Sequence, residues 1–203
     1  MNDSILKYEK VSMDNLKLAI EIQNTIFPTE NGALNLITYV DRSKIKEICE
    51  NKSFRDVLDG WICKDETDEV VGITGIYSYF EYPQDAWCGW YGVLPEKQGK
   101  GYRKKILSWT MEKAREMGYK NFRLYTDLES NNAAVQLYRK IGMIEEPYVA
   151  EDMGSEQIII FSKSLISEET KKFGNKNLFL LEQEGIQNKA EEFIKKHYSF
   201  LLG

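Results

Sequence analysis

The chain has 203 residues, with 27 Lys and Arg against 32 Asp and Glu for a formal charge of −5; 42% of it is hydrophobic and 12% aromatic. That length suits one domain with a sizeable extension, and the apolar fraction is enough for a packed core, which excludes a disordered chain. No apolar run approaches the roughly 18 residues of a membrane span, the N-terminus MNDSILKYEK lacks the apolar stretch of a secretory signal, and the acidic balance speaks against nucleic-acid binding, whose phosphate contacts need a basic face.

In chain order, Ile5 to Val11 alternates weakly and suits a strand. Asp14 to Phe27 places Leu16, Ile20, Ile26 and Phe27 near one helical face, with Asp14 or Ser12 able to cap it, and Pro28 ends it. Asn31 to Ile37 reads as a loop, and Asp41 to Asn51 as a short charged helix carrying Ile45 and Ile48. Val57–Lys64 and Val70–Tyr79 are strands joined by the polar turn Asp65-Glu66-Thr67-Asp68, an expected antiparallel hairpin. Ala86 to Leu94 is an aromatic-rich strand ending at Pro95. Gly101 to Met117 carries Leu107, Met111 and Ala114 as a helix stripe closed by Gly118. Asn121 to Thr126 alternates as a strand. Asn131 to Ile141 is a helix closed by Gly142, and Ile158 to Phe161 is the last strand of the block. The order β-α-α-β-β-β-α-β-α-β-β implies an α/β or α+β domain on a mixed sheet. Beyond Leu165 the texture changes: Ser167 to Lys176 is charged and linker-like, and Ala190, Phe193, Ile194, His197 and Leu201 fall on one face of a terminal helix. Residues 3–165 are therefore expected to form the domain. Residues 166–203 are expected to form an extension that docks on it or on a second subunit, as in a homodimer.

Three widely spaced cysteines, Cys49, Cys63 and Cys88, form no CxxC pair and suit a reducing cytoplasm. With His197 as the only histidine, a His-based zinc site and a Ser-His-Asp hydrolase are both disfavoured, and no metal is expected.

The most informative stretch runs from Val93 through Gln98-Gly99-Lys100-Gly101-Tyr102-Arg103. A strand leads in and an amphipathic helix leads out. Exposed amides at a helix N-terminus, with the helix dipole, attract anions; glycines let backbone approach a phosphate closely. Lys100, Arg103, Lys104 and Lys105 gather positive charge where the dipole would otherwise repel it. Neither GxxxxGK[ST] nor GxGxxG is present, which lowers nucleotide hydrolysis and dinucleotide binding. By itself the stretch is also compatible with a glycine turn that merely starts a basic surface helix.

The segment from Asn131 to Met143 supplies the second half of the pattern. Gln98-Gly99-Lys100-Gly101-Tyr102-Arg103 resembles the (Q/R)xxGx(G/A) pyrophosphate motif of the GNAT superfamily of acetyl-CoA-dependent N-acetyltransferases. Asn131, Ala134, Leu137, Tyr138, Lys140 and Gly142 resemble its later NxxAxxLYxKxGF helix, with Met143 in place of Phe. The resemblance covers about residues 3–165. It implies a mixed, mostly antiparallel central sheet flanked by helices and splayed to bind acetyl-CoA as co-substrate. It also implies transfer of the acetyl group to a primary amine by direct attack in a ternary complex. Two departures stand out: Arg103 occupies a small-residue position, and Gly89 stands where members often carry a strand acid.

By the same resemblance, Val93 and Leu94 would bind the pantetheine arm through their backbone, with Gly92 marking the bulge that opens the sheet. The backbone of Gln98, Gly99, Lys100, Gly101, Tyr102, Arg103 and Lys104 would hold the pyrophosphate, Asn131 would bond the pantetheine arm, and Ala134 would also contact the cofactor. Tyr138 matches the general acid that protonates the leaving thiolate; from the residues alone it reads as a core tyrosine on the Ala134/Leu137/Ile141 stripe. Glu81 is the first candidate for the base, with Asp85, Glu30 and a water chain as alternatives. The expected partner is a small-molecule or peptide amine, with neither nucleic acid nor membrane. The rival readings are an acyl-CoA-binding module without turnover and a nucleotide-binding protein using the glycine loop.

Overall fold

A seven-stranded sheet organises the computed structural model, which describes residues 5–30, 32–41, 55–79, 82–127, 132–148 and 158–174. The elements are β1 (Lys7–Lys10), α1 (Leu16–Ile26), α2 (Gly32–Val40), β2 (Arg55–Lys64), β3 (Val70–Tyr79), β4 (Tyr82–Val93), α3 (Tyr102–Glu116), β5 (Asn121–Asp127), α4 (Asn132–Lys140), β6 (Ile144–Tyr148) and β7 (Ile158–Ser164). The strand order is β1-β2-β3-β4-β5-β7-β6. Every neighbouring pair is antiparallel except β4–β5, which is parallel. A parallel pair needs a crossover, and α3 supplies it. The string of element types matches the expected one, although its second helix is not the helix that was expected, and among the described residues no helix is long and apolar enough to cross a membrane.

β3 reads VVGITGIYSY and is buried over almost its whole length, because helices cover both faces of the sheet. On one face α1 and α2 pack Leu16, Ile20, Leu36 and Ile37 against Ile62, Ile73, Tyr77 and Trp87. On the other, Leu107 and Ala114 of α3 and Val135 and Tyr138 of α4 pack against Ile76, Phe122 and Phe161. Thr74 of β3 and Thr110 of α3 share a buried hydrogen bond of 2.9 Å. The glycines at 118 and 142 close α3 and α4 with φ of +92° and +75°, the left-handed conformation that glycine adopts without steric cost.

Three local expectations change. The stretch 31–37 is helix rather than loop: α2 buries Ala33, Leu36 and Ile37, an i, i+3, i+4 stripe. Gly32 opens the helix by donating its N–H to Asn24 Oδ1 at 3.0 Å. The helix expected over 41–51 falls almost wholly outside the described residues, as does the terminal helix. At α1 the capping position is Asn15, not Asp14 or Ser12. The Asn15 carboxamide accepts the Ser12 N–H at 2.8 Å and donates to the Lys10 carbonyl at 3.0 Å, so it fixes the strand-to-helix turn instead of capping helix amides. Finally, part of the expected linker is docked. Glu146 accepts the backbone N–H groups of Phe173 and Gly174, and the Phe173 ring packs edge-on against Tyr82 and Trp87.

β4, β5 and β7 are bound by a buried ion pair. Arg123 Nε donates to Asp85 Oδ2 at 2.7 Å, Asn121 Nδ2 donates to Asp85 Oδ1 at 2.7 Å, and Arg123 Nη1 donates to Ser162 Oγ at 2.6 Å. The guanidinium also lies 5.0 Å from the Phe173 ring centroid. Both side chains of the pair are under 10% exposed, so removing one partner strands a buried charge. Asp85→Ala should therefore lower unfolding free energy by about 3 kcal/mol. Glu116→Ala, at the exposed partner of Lys113, should lower it by about 0.5 kcal/mol or less. Urea unfolding of the two variants checks this, and equal small losses would contradict it.

Candidate active site

β4 and β5 are paired only at Asp85↔Asn121, Ala86↔Phe122 and Trp87↔Arg123. Both strands run on, β4 to Val93 and β5 to Asp127, so beyond Trp87 the sheet opens as a V. Across β3, the register passes from Gly75↔Gly89 to Ile73↔Gly92. β4 thus spends one residue more than β3, a bulge. Trp90 sits in it with φ of +52°, a left-handed conformation uncommon for a bulky residue and costing on the order of 1–3 kcal/mol. The bulge is centred on Trp90 rather than on Gly92. Gly92 serves packing instead, since a Cβ there would lie 2.4 Å from Ile26 Cγ2.

The bulge decides which backbone groups face the opening. The Leu94 N–H donates to the Val71 carbonyl at 3.0 Å. By strand alternation the Val93 N–H is directed to the other edge, where β5 has departed. Gln98 Nε2 reaches back to the Val93 carbonyl at 3.4 Å. After a 3-10 turn at Pro95–Lys97, Gly99 and Gly101 adopt φ of +78° and +80°. Nothing lies within 4 Å of where a Cβ on either would stand, so the backbone there is bare on one side. Gly101 precedes α3 without a side-chain cap, and the first turn holds no acid. The leading amides, those of Tyr102, Arg103 and Lys104, are therefore the orphan donors of a helix start. Lys97 is drawn away to Asp65 and Glu69, whereas Lys100 and Lys104 are exposed and Arg103 half-buried beside the turn. This combination of bare glycine backbone, orphan amides and flanking cations fits a diphosphate.

Tyr91 ties the two halves of the site together: its hydroxyl donates to the Arg103 carbonyl at 2.6 Å, pinning the start of α3 to β4. Tyr138, on α4, is 5% exposed and its ring lies 5.1 Å from that of Phe161. Burial, with the Cys88 thiol beside it, pushes the Tyr138 phenol above its ordinary range, with Arg103 opposing. Tyr91 is another of its neighbours. Tyr138 therefore stands by β4 where the strand leaves β5, and it stays protonated. Burial likewise pushes the Cys88 thiol up to about 12, which leaves it protonated and poorly nucleophilic.

The remaining sequence candidates scatter. Ala134 is buried among the side chains between α4 and the sheet. Glu81 and Asn131 lie outside the described residues. Asp85 is held by Arg123 and Asn121, and Glu30 is exposed. Among the described residues no group of three His, Cys, Asp or Glu side chains is placed to hold a metal ion. The tie of Tyr91 to α3 depends on the bulge, so no local signal announced it, and α2 arrives unexpectedly with its buried Tyr39. The spacing of Ala33, Leu36, Ile37 and Val40 was the available signal for the latter.

Solved structures with the same fold are N-acetyltransferases. A protein described as a GNAT-family acetyltransferase from Desulfovibrio desulfuricans superposes with a TM-score of 0.62 at 12% identity, covering 79% of this chain and 99% of its own. The spermidine N-acetyltransferase of Vibrio cholerae, solved with CoA and spermine, gives 0.57 at 16% identity over 79% and 95%. The ribosomal-protein-S18-alanine N-acetyltransferase of Escherichia coli gives 0.53 at 14% identity over 87% and 100%. None of the curated proteins matches the chain in sequence. The family model for the acetyltransferase (GNAT) family matches residues 22–143. With that match over more than half of its length, and with the splayed sheet and glycine-led helix it predicts, the chain belongs to the GNAT acetyltransferase family.

Proposed function

We propose that this chain moves the acetyl group of acetyl-CoA to a primary amine by direct attack within a ternary complex. The observation that carries the reading is the open β4 edge beyond Trp87 running straight into the uncapped, glycine-led start of α3. Acetyl-CoA supplies an acetyl group activated as a thioester. The Val93 N–H would pair with the pantetheine arm as a strand partner does; Leu94, whose amide is committed to Val71, contributes position only. The backbone from Gln98 to Lys104 would hold the diphosphate, and Asn131 would bond the pantetheine arm, with Ala134 also on the α4 side. Tyr138 would give its phenolic proton to the departing sulfur. The amine nitrogen bonds to the carbonyl carbon, the C–S bond breaks, and the amine's surplus proton leaves through Glu81 or water.

Neighbours that acetylate spermidine and a ribosomal-protein alanine suggest a polyamine or a protein N-terminus as acceptors to try first. The catalytic unit in this reading is residues 3–165, with 166–203 docked on it through Phe173 or on a second copy in a homodimer. A cytoplasmic setting suits Cys63 and Cys88 as unpaired thiols. The rival, acyl-CoA binding without turnover, draws on the commitment of Asp85 to Arg123. Thiol release from acetyl-CoA in the presence of a panel of amines and peptides separates the two: turnover supports transfer, and tight acetyl-CoA binding with no turnover across the panel supports the rival.

Two variants test the parts. Gly101→Val should weaken acetyl-CoA at least about tenfold, because it fills the bare face of the cradle as well as straining φ. Gly118→Ala carries similar strain at the far end of α3 and should lower stability alone. Calorimetric titration of both checks this, and equal affinities would remove the cradle.

Tyr138→Phe should lower kcat by roughly 100-fold with little change in acetyl-CoA affinity, since the ring and its packing remain. Because burial raises the phenol's pKa, its acid form persists as pH rises. The wild-type kcat profile should therefore show no falling limb below about pH 10. A fall near neutrality, absent in Tyr138→Phe, would contradict the assignment.

A further inference from the structure

Arg103 stands where the motif has a small residue, and the cradle draws only on its backbone. In α3 it lies one turn before Ile106 and Leu107, on the buried stripe that continues through Thr110 and Ala114. It therefore shares the sheet-facing side of the helix rather than the outer one. Leu107 and Ala114 pack in the same cluster as Tyr138 and Tyr91. Arg103 is half-buried, its carbonyl is held by the Tyr91 hydroxyl at 2.6 Å, and its charge is felt at both the Tyr138 and Tyr91 phenols. The guanidinium thus faces the gap between α4 and the parted stretch of β4.

Arg115, Arg123 and Arg139 each hold a carboxylate; among the described residues Arg103 holds none. The dipole of α3 opposes a cation in its first turn, and partial burial without a counter-ion adds to that cost. An anion arriving from outside the chain would offset both. Acetyl transfer brings two: the diphosphate and the sulfur of departing CoA. The diphosphate already has the orphan amides and the exposed Lys100 and Lys104. The sulfur has Tyr138, whose phenol burial pushes above its ordinary range. Such a phenol is a poor donor to a thiolate whose own thiol titrates at about 8.5. Proton transfer to the sulfur then runs uphill unless a cation shares the charge.

We propose that the Arg103 guanidinium stabilises the negative charge that develops on the CoA sulfur and so assists Tyr138. The inference rests on the acetyl-transfer reading and adds a residue to its leaving-group side. The N–C bond forms, and the electron pair of the breaking C–S bond moves to sulfur beside the guanidinium. Tyr138 gives its proton to the sulfur and regains one from water, through which the amine's surplus proton leaves. The guanidinium keeps its protons throughout.

The test uses the full chain in two arms. In the first, CoA and acetyl-CoA are titrated calorimetrically between about pH 6.5 and about pH 9.5, a window that spans the free thiol's pKa. Only CoA carries an ionisable thiol, so diphosphate and adenine contacts cancel in the ratio of the two affinities. A cation at the sulfur lowers the bound thiol's pKa, and the preference for thiolate is present at high pH and lost as pH falls. Cys88, Tyr91 and Tyr138, which face the same gap, stay protonated across this window. CoA should gain on acetyl-CoA by about tenfold or more from low to high pH in the wild type and in Arg103→Lys, and by about threefold or less in Arg103→Met. Arg103→Gln takes the place of Arg103→Met if the latter does not fold. In the second arm, spermidine and an alanyl tripeptide are the probe amines. Arg103→Met should lower kcat by about tenfold or more, with acetyl-CoA affinity within about threefold. The same pH gain in wild type and Arg103→Met overturns the proposal, as does no gain in either. Equal losses of CoA and acetyl-CoA affinity with kcat intact overturn it too, by placing the guanidinium on the diphosphate. An Arg103-dependent gain in a protein that acetylates neither amine supports the charge at the sulfur and counts against the transfer reading alone.

Discussion

Hydrogen bonding between β4 and β5 stops at Trp87 and Arg123 although both strands continue, and the rest of the site follows from that parting. A sheet edge inside a protein is a row of backbone donors and acceptors that must find partners. Here the parting is held from both ends. Below it, the Asp85–Arg123 pair, with Asn121 and Ser162, binds the strands where they still touch. Above it, the bulge at Trp90 turns β4, and the Trp90 ring packs edge-on against Phe27. A flat, continuously paired sheet would leave no edge for a pantetheine strand.

The same bulge sets the chemistry on each face. By inserting one residue it leaves both Gly89 and Trp90 on the face that α1 and α2 cover and places Tyr91 toward α3. Tyr91 can then hold the Arg103 carbonyl, which couples the position of the helix start to the strand edge. In the proposed reading the diphosphate cradle and the pantetheine edge would thus be parts of one linked unit rather than two neighbouring motifs. Preorganisation of this kind reduces the ordering cost of binding a long, flexible ligand.

Much of this was legible in the sequence for a physical reason. Gly99 and Gly101 need positive φ at a strand-to-helix turn, and the stripe of Ala134, Leu137, Tyr138 and Ile141 has helical period, so local chemistry and motif agree. The hairpin of β2 and β3 was announced by its polar turn. Other features depend on contacts far apart in sequence. α2 starts with glycine and carries Ile37, Thr38 and Val40, poor helix formers held in place by burial against the sheet rather than by propensity. Asp85 read as a free acid because Arg123 lies 38 positions away. Trp90 gave no sign of its conformation, since a bulge belongs to a pair of strands. Gly60, Gly75 and Gly89 stand opposite one another only once three strands are in register.

Backbone amide exchange with and without CoA reads the parted edge most directly. The account predicts that saturating CoA slows exchange at the Val93 amide by about tenfold or more, and slows the amides from Gly99 to Lys104 with it. Leu94, already bonded to Val71, should hardly change. Saturation with CoA that leaves Val93 exchanging at its free rate, or that protects only residues on β5, would contradict the claim that the β4 edge is where the cofactor binds.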